Sequence, residues 1–299
     1  MTSACALPAY IIVTPVRDEA RFIGETLVSV LTQTHLPIRW IIVDDGSTDL
    51  TPVILREHTQ GLPWVTVVST RSTERNLGCA EVLAFQCGFA EITPDATYEF
   101  VVKLDGDLRL PTNYFERVLE RMSVDTRWGI ASGVYCEDKG GHWVPIAMPT
   151  YHAAGASKVV RRECFEQIGG FVARKGWDTV DEIRAGLHGW HTGHFDDIPF
   201  QHLKPEGVAM GRLQTHRFHG DIYYQTGGGP LFLLFKAVHR MLAASPPLLG
   251  GLAMLWGYLA PLLSRRSRLV SADEARFYRS MLNMRLTRPV AKLFAFVRS

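Results

Sequence analysis

The sequence predicts an α/β domain, a mostly parallel sheet with helices on both faces, continued by a hydrophobic and basic helical C-terminal region. Three observations predict it. Strand-like and helix-like hydrophobic patterns alternate through the first 110 residues, the mark of a layered α/β sheet. A content of 46% hydrophobic and 21% charged residues over a chain of 299 suits one large domain plus an appendage. Finally, Met241–Ser264 is a run of 24 residues without a charge, ahead of a strongly basic end.

Each element follows from its own pattern. Tyr10–Thr14 is β-rich and forms a first strand. Across Glu19–Gln33, Ile23, Leu27, Val30 and Leu31 recur at helical spacing and complete a βα unit. Trp40–Val43 is a second apolar strand, and DDGSTD (Asp44–Asp49) supplies turn residues and helix N-caps before Pro52. Val65–Val68 predicts a third strand, Gly78–Ala90 a helix, and Phe100–Leu104 a fourth strand that runs into LDGD. The N-terminus has no basic segment ahead of its apolar run, so a cleaved signal peptide is not expected. Five cysteines without a CxxC pair indicate neither a disulfide framework nor a structural zinc site.

Sheets of this kind bind ligands beyond the carboxyl ends of their strands. Three segments fall there: PVRDEA, VDDGSTD and LDGD. They gather Asp18, Glu19, Asp44, Asp45, Asp105 and Asp107 at one edge. Like charges so close oppose one another's ionisation unless donors or a cation stand between them. Mg²⁺ or Mn²⁺ suits such oxygens and is commonly held by one or two carboxylates plus substrate phosphates. No P-loop lysine motif and no GxGxxG turn follows a strand, which speaks against ATPase and dinucleotide-binding readings. A nucleotidyltransferase is expected to carry a glycine-rich basic loop at the first strand, and PVRDEARF contains no glycine.

In this order and spacing, PVRDEA, VDDGSTD, RNLG (Arg75–Gly78) and LDGD resemble the nucleotide-sugar half of the inverting family 2 glycosyltransferases of GT-A fold. The resemblance continues through GGF (Gly169–Phe171) and WDTVDEIRAGLHGW (Trp177–Trp190), over roughly residues 9–205. It implies a GT-A catalytic domain over 1–220, with a nucleotide-binding half (1–110) and an acceptor half (111–220), and a distinct C-terminal region over 221–299. By that resemblance Pro15 and Glu19 border the nucleotide base, and Asp44 and Asp45 recognise base and ribose. Arg75, Asn76 and Gly78 match a segment near the sugar nucleotide, although Gln86 stands where asparagine is common. Asp105 and Asp107 match the DxD pair whose metal bridges the diphosphate, Asp107 as the direct ligand and Asp105 as a ligand that also reaches the ribose.

The chemistry explains these residue types. Cleaving the bond from the anomeric carbon to a diphosphate expels a leaving group of rising negative charge, which a bridging divalent ion stabilises. The acceptor hydroxyl is a weak nucleophile, so a carboxylate on the opposite face must take its proton. The resemblance assigns that base to Asp178, with Trp177 departing from the family's usual acidic residue; Asp181 and Glu182 stand as rivals, since all three fall within five residues. Their other reading is an acidic first helical turn stabilised by the helix dipole. His202, with His216 and His219, is a candidate third metal ligand, while Arg212 and Arg217 are candidates to neutralise the diphosphate. The sequence has neither a GxSxG elbow nor a cysteine beside a histidine, so a covalent enzyme intermediate is not indicated.

Charge divides the chain. Residues 221–299 carry 11 Lys/Arg against 3 Asp/Glu, or +8, leaving −6 for residues 1–220. A net acidic body speaks against nucleic acid as a partner. Met241–Ser264 is long enough to cross a membrane as one helix. However, Pro246-Pro247, Gly250-Gly251 and Pro261 would break such a helix, and nine Lys/Arg against two acids follow it. An in-plane or re-entrant platform on the cytoplasmic face of a membrane is expected, ahead of a single span and of a helical hairpin buried on the catalytic domain. The sequence lacks QxxRW, so a processive synthase is not expected. Transfer of one sugar from a nucleotide-sugar donor, a UDP-sugar being the family's commonest, to a carbohydrate or lipid-linked acceptor in surface polysaccharide or glycolipid assembly is the function the resemblance implies. The alternative is a catalytically silent scaffold that binds nucleotide sugar or membrane.

Overall fold

The computed structural model describes residues 7–70, 79–204, 211–243 and 247–297. The chain divides into two compact units, Met1–Pro205 and Glu206–Ser299.

The first unit is built on one nine-stranded sheet. Strands β1 (Tyr10–Val16), β2 (Arg39–Asp44), β3 (Val65–Ser69) and β4 (Phe100–Leu104) lie in the order β3-β2-β1-β4, all parallel. Helices α1 (Ile23–Leu31), α2 (Thr51–Thr59) and α3 (Ala80–Ala90) alternate with them, as the hydrophobic pattern predicts. Side chains of β1 part with period two. Tyr10 and Ile12 enter one core with Trp40, Ile42, Phe100 and Val102; Ile11 and Val13 enter the other with Ile41, Val43, Val101 and Phe85. Both faces are buried along β1, β2 and β4, which is why those strands read as nearly unbroken apolar runs, whereas the edge strand β3 is partly open. Helix α3 lies hard against the sheet at Gly88, where a Cβ would come within 2.6 Å of Val43 Cγ2.

The second half of the sheet departs from the mostly parallel expectation. Strands β5 (Leu108–Arg109), β6 (Trp128–Asp138), β7 (Trp143–Pro145), β8 (Ser157–Arg161) and β9 (His191–His202) continue the order as β4-β8-β6-β9-β5, with β7 on β6. Strand β8 is antiparallel to both neighbours, β5 to β9 and β7 to β6, while β6 and β9 are parallel. The sheet is therefore mixed. Only residues 139–142 join β6 to β7, too few for a crossover, so β7 returns antiparallel to β6, and β8 then pairs with β6 in that same reversed direction. Helices α4 (Tyr114–Val124), α5 (Arg162–Gln167) and α6 (Trp177–Leu187) complete this unit.

The second unit comprises α7 (Arg212–Gln225), α8 (Pro230–Ala243), α9 (Leu249–Leu263) and α10 (Ala272–Val297). A Cβ on Gly220 would collide with Met254 O, and one on Gly257 with Arg217 O, so α7 and α9 touch backbone to backbone. The single transmembrane span is corrected here: the uncharged run is shared between the end of α8 and α9, and no described helix is long and apolar enough to cross a membrane. The fifteen residues of α9 rise about 22 Å, short of the roughly 30 Å of hydrocarbon. The interruption falls ahead of α9, next to Pro247, whereas Gly250, Gly251 and Pro261 lie inside the helix. Gly251 is needed there, because Ala237 O lies 2.5 Å from where its Cβ would be.

Candidate active site

The loops after β1 and β2 are stitched together at the carboxyl edge of the parallel strands. Asp45 N donates to Val16 O at 2.9 Å, Asp18 N to Ser47 Oγ at 2.9 Å, Glu19 N to Thr51 Oγ1 at 2.9 Å and Ala20 N to Asp49 Oδ2 at 3.0 Å. Asp18 sits at φ 53°, a left-handed conformation that its own Oδ1 helps hold by accepting Thr48 N at 2.7 Å. That backbone donor is also what holds the Asp18 carboxyl below its ordinary value. Asp44 Oδ1 accepts Ser47 N at 3.0 Å, and Asp45 takes Thr70 Oγ1 at 3.0 Å and Arg17 Nη1 at 3.5 Å. Both aspartates are buried. Pro15, within β1, pairs with Val43.

The DxD segment follows β4. Gly106 lies where a Cβ would come within 2.7 Å of Val16 Cγ1, so only glycine lets the two aspartates turn beside the end of β1. Asp105 N donates to Ala156 O at 2.8 Å, and its carboxylate meets Lys103 Nζ at 2.5 Å. Lys103 is itself buried, donates to Gly155 O at 3.1 Å and lies 3.6 Å from Glu81. Burial pushes Asp105 up against the pull of Lys103. Asp107 stands on the other side, with Oδ2 3.5 Å from His202 Nε2; pairing of Leu108 with His202 sets that neighbourhood. Glu19 pairs with Lys204 at 2.7 Å, and burial raises its carboxyl while Lys204 pulls it back.

Two oxygens here are orphans. Asp107 Oδ1 and Glu19 Oε2 are buried without a hydrogen-bond partner among the described residues, a costly state unless something else supplies the partner. Among the described residues, Glu19, Glu81, Asp105 and Asp107 meet two lysines, Lys103 and Lys204, so carboxylates outnumber cations here. Among the described residues no cluster of three or more His, Cys, Asp and Glu side chains forms a metal cage. The donor set instead fits a hard divalent ion that takes one or two protein ligands and completes its shell with phosphate and water.

Asp178, Asp181 and Glu182 fall on α6, which starts after Gly176 at φ 83°. The structure separates them sharply. Asp181 is buried and bonded to Lys158 Nζ at 2.9 and 3.1 Å. Glu182 is buried as well, accepting Ala153 N at 2.8 Å and lying 3.0 Å from His152 Nδ1. Asp178 alone is open, its side chain 35% exposed, with His152 Nε2 3.8 Å from Oδ2. Burial pulls the His152 imidazole down, but Glu182 and then Asp178 outweigh it and raise it to about 9. Trp177 joins this group to the DxD side. Its ring lies 5.2 Å from Lys103 Nζ and 5.0 Å from Lys158 Nζ, cation–π geometry, and Nε1 donates to Glu81 at 2.6 Å.

Of the residues predicted from sequence, Glu19, Asp44, Asp45, Asp105, Asp107, Asp178 and His202 all lie in the first unit with the contacts given. Arg75, Asn76 and Gly78 lie outside the described residues. His216, His219, Arg212 and Arg217 belong to the second unit, where His216 Nδ1 is 2.6 Å from Arg240 Nη1. Lys103, Lys158 and His152 escape the sequence reading; lysines in otherwise apolar strands, as in VVKL and SKVV, are the signal that two of them need buried acids. An aromatic cleft of about 510 Å³ lined by Phe85, Phe89, Phe165 and Phe171 holds none of these carboxylates.

A family model described as glycosyl transferase family 2 matches residues 11–176, more than half of the chain. Among solved structures, the mannosyltransferase PcManGT from Pyrobaculum calidifontis, in complex with GDP-Man and Mn²⁺, is similar over 96% of this chain and 83% of its own, with 19% identity and a TM-score of 0.57. S. aureus TarS 1–349 is similar over 90% of this chain and 77% of its own, with 17% identity and a TM-score of 0.52. The same TarS segment in complex with UDP-GlcNAc gives 17% identity over 90% and 78%, with a TM-score of 0.53. No curated protein matches the chain. At these identities the structural likeness is one of fold.

Proposed function

The chain belongs to glycosyl transferase family 2, and from that premise we propose that it moves one sugar from a nucleotide-sugar donor to an acceptor hydroxyl, with inversion and with a divalent cation. The observation that carries this reading is the pair of acidic centres joined through Trp177: one with an orphaned carboxylate oxygen and excess negative charge, the other with a single open carboxylate. GDP-Man with Mn²⁺ in PcManGT and UDP-GlcNAc in TarS support a nucleotide sugar as the donor class.

Asp107, with His202 beside it, and Asp105 are the residues that would hold Mg²⁺ or Mn²⁺. When bound, such an ion supplies Lewis-acid stabilisation of the departing diphosphate. Asp44 and Asp45, fixed by the Ser47, Thr70 and Arg17 contacts, present the nucleoside side of the site, with Glu19 and Pro15 at its border. Lys103 holds Asp105 in place. Asp178 takes the proton from the acceptor oxygen as it attacks the anomeric carbon, so a single displacement inverts that centre. Asp181 and Glu182 do not compete for this task, because Lys158, Ala153 N and His152 occupy them. His152, fixed by Glu182, directs Nε2 at Asp178 and orients the carboxylate. The acceptor class we assign is a carbohydrate or lipid-linked hydroxyl.

The test is release of nucleoside diphosphate from a panel of UDP-, GDP- and dTDP-sugars, with Mn²⁺ or with EDTA. Turnover of at least one donor that EDTA abolishes is expected, with Asp178→Asn reducing it by about 10²–10⁴-fold. Turnover unaffected by Asp178→Asn contradicts the assignment of the base.

A further inference from the structure

Helices α8 and α9 each bury one face and leave the other apolar and open. On α8, Leu233 and Ala237 are buried, while Leu231, Leu234, Phe235, Val238 and Leu242 are 44–80% exposed. On α9, Gly251, Met254 and Tyr258 are buried, while Leu249, Leu252, Trp256, Leu259 and Leu263 are 40–73% exposed. Steps of three and four residues make each set a stripe along its helix. The helices pack against one another at Gly251, Ala237 and Met241, so the stripes belong to one two-helix layer. With Leu248 and Leu262, twelve large apolar side chains are open within 33 residues, far more than the single exposed leucine that needs no explanation.

The surrounding charge selects what covers them. Between Asp221 and Asp273 the sequence holds Lys236, Arg240, Arg265, Arg266 and Arg268, and no acid. Arg265 and Arg266 are exposed immediately beyond α9. A second copy of the chain would set these cations against their own kind. An anionic bilayer offers an apolar phase to the stripes and phosphates to the arginines. We propose that the C-terminal unit docks in the plane of an anionic lipid bilayer through the exposed apolar faces of α8 and α9. Neither helix crosses, and Trp256 lies at headgroup depth, where indole rings settle. This binding requires nothing of the transfer reaction.

Co-sedimentation of the full-length chain with phosphatidylcholine vesicles, with and without about one-third phosphatidylglycerol, tests the docking. The chain is expected to sediment with the anionic vesicles and to be released by high salt. Leu234→Asp/Trp256→Asp lowers partitioning by at least about tenfold, and Arg265→Glu/Arg266→Glu lowers it by about fivefold per arginine on anionic vesicles only, with far-UV circular dichroism unchanged. Should the aspartate variant misfold, quenching of wild-type tryptophan emission by brominated lipid, compared with Trp256→Phe, reads the same contact; a Trp256 signal that brominated lipid leaves unquenched overturns it. A wild-type chain that stays in the supernatant, or that instead forms a dimer dissociated by Trp256→Asp, overturns the proposal.

Discussion

Replacing His152 by Gln isolates the electrostatics around the proposed base. The imidazole is raised from 6.5 to about 9 because Glu182, at 3.0 Å, and Asp178, at 3.8 Å, outweigh the cost of burial. That rise corresponds to roughly 3 kcal/mol of native-state stability. Below about pH 6.5 both folded and unfolded chains are protonated and the whole contribution is present. Between 6.5 and 9 the unfolded chain loses its proton first, and the native state holds on to it. Stability from this residue therefore falls as pH rises, and it is gone above about 9. Lys158, which also faces His152, remains charged throughout and sets a constant background. Urea denaturation of wild type and His152→Gln at intervals from pH 6 to 9.5 gives the difference curve directly. The variant is expected to lag by roughly 3 kcal/mol more at pH 6 than at pH 9.5, with lost packing common to both ends. A difference that stays flat across the range refutes the clamp by Glu182 and Asp178.

Other perturbations follow from the same contacts. Lys158→Met strands the buried Asp181 and is expected to cost about 3–5 kcal/mol in urea denaturation; adding Asp181→Asn recovers part of it, and a double variant no better than the single contradicts the pairing. Gly106→Ala forces the DxD turn away from Val16, so nucleotide turnover falls by up to about 100-fold while thermal stability drops by only about 1–3 kcal/mol. Gly220→Ala sets a methyl against Met254 O and lowers the melting of the C-terminal unit, leaving donor turnover by the first unit unchanged.

The parallel half of the sheet was legible because both of its faces are buried: Tyr10–Val16 and Phe100–Leu104 are apolar runs with no competing period. Strand β9, HTGHFDDIPFQH, carries histidines and aspartates and shows no such run, so the mixed half of the sheet stayed hidden. That Asp105 and Asp107 lie at a strand end beside the loops after β1 and β2 was legible from motif and spacing, whereas Asp178 stood level with Asp181 and Glu182 until burial separated them. His152 could not: it lies 30 residues from Glu182, and only the fold brings the ring to it. Met241–Ser264 announced its hydrophobicity, and its prolines and glycines predicted a broken helix; what the sequence did not reveal is that Gly250, Gly251 and Pro261 lie inside α9 and that Gly220, Gly251 and Gly257 are where the helices pack tightest.

On the proposed mechanism, the carboxylates at the strand ends hold a diphosphate through a divalent ion. Calorimetric titration of UDP and GDP into the protein, with and without Mn²⁺, tests it most directly. One of the two nucleotides is expected to bind only with Mn²⁺, to lose that binding in Asp107→Ala and to keep it in Asp178→Asn. Equal affinity without metal, or undiminished binding in Asp107→Ala, contradicts the claim.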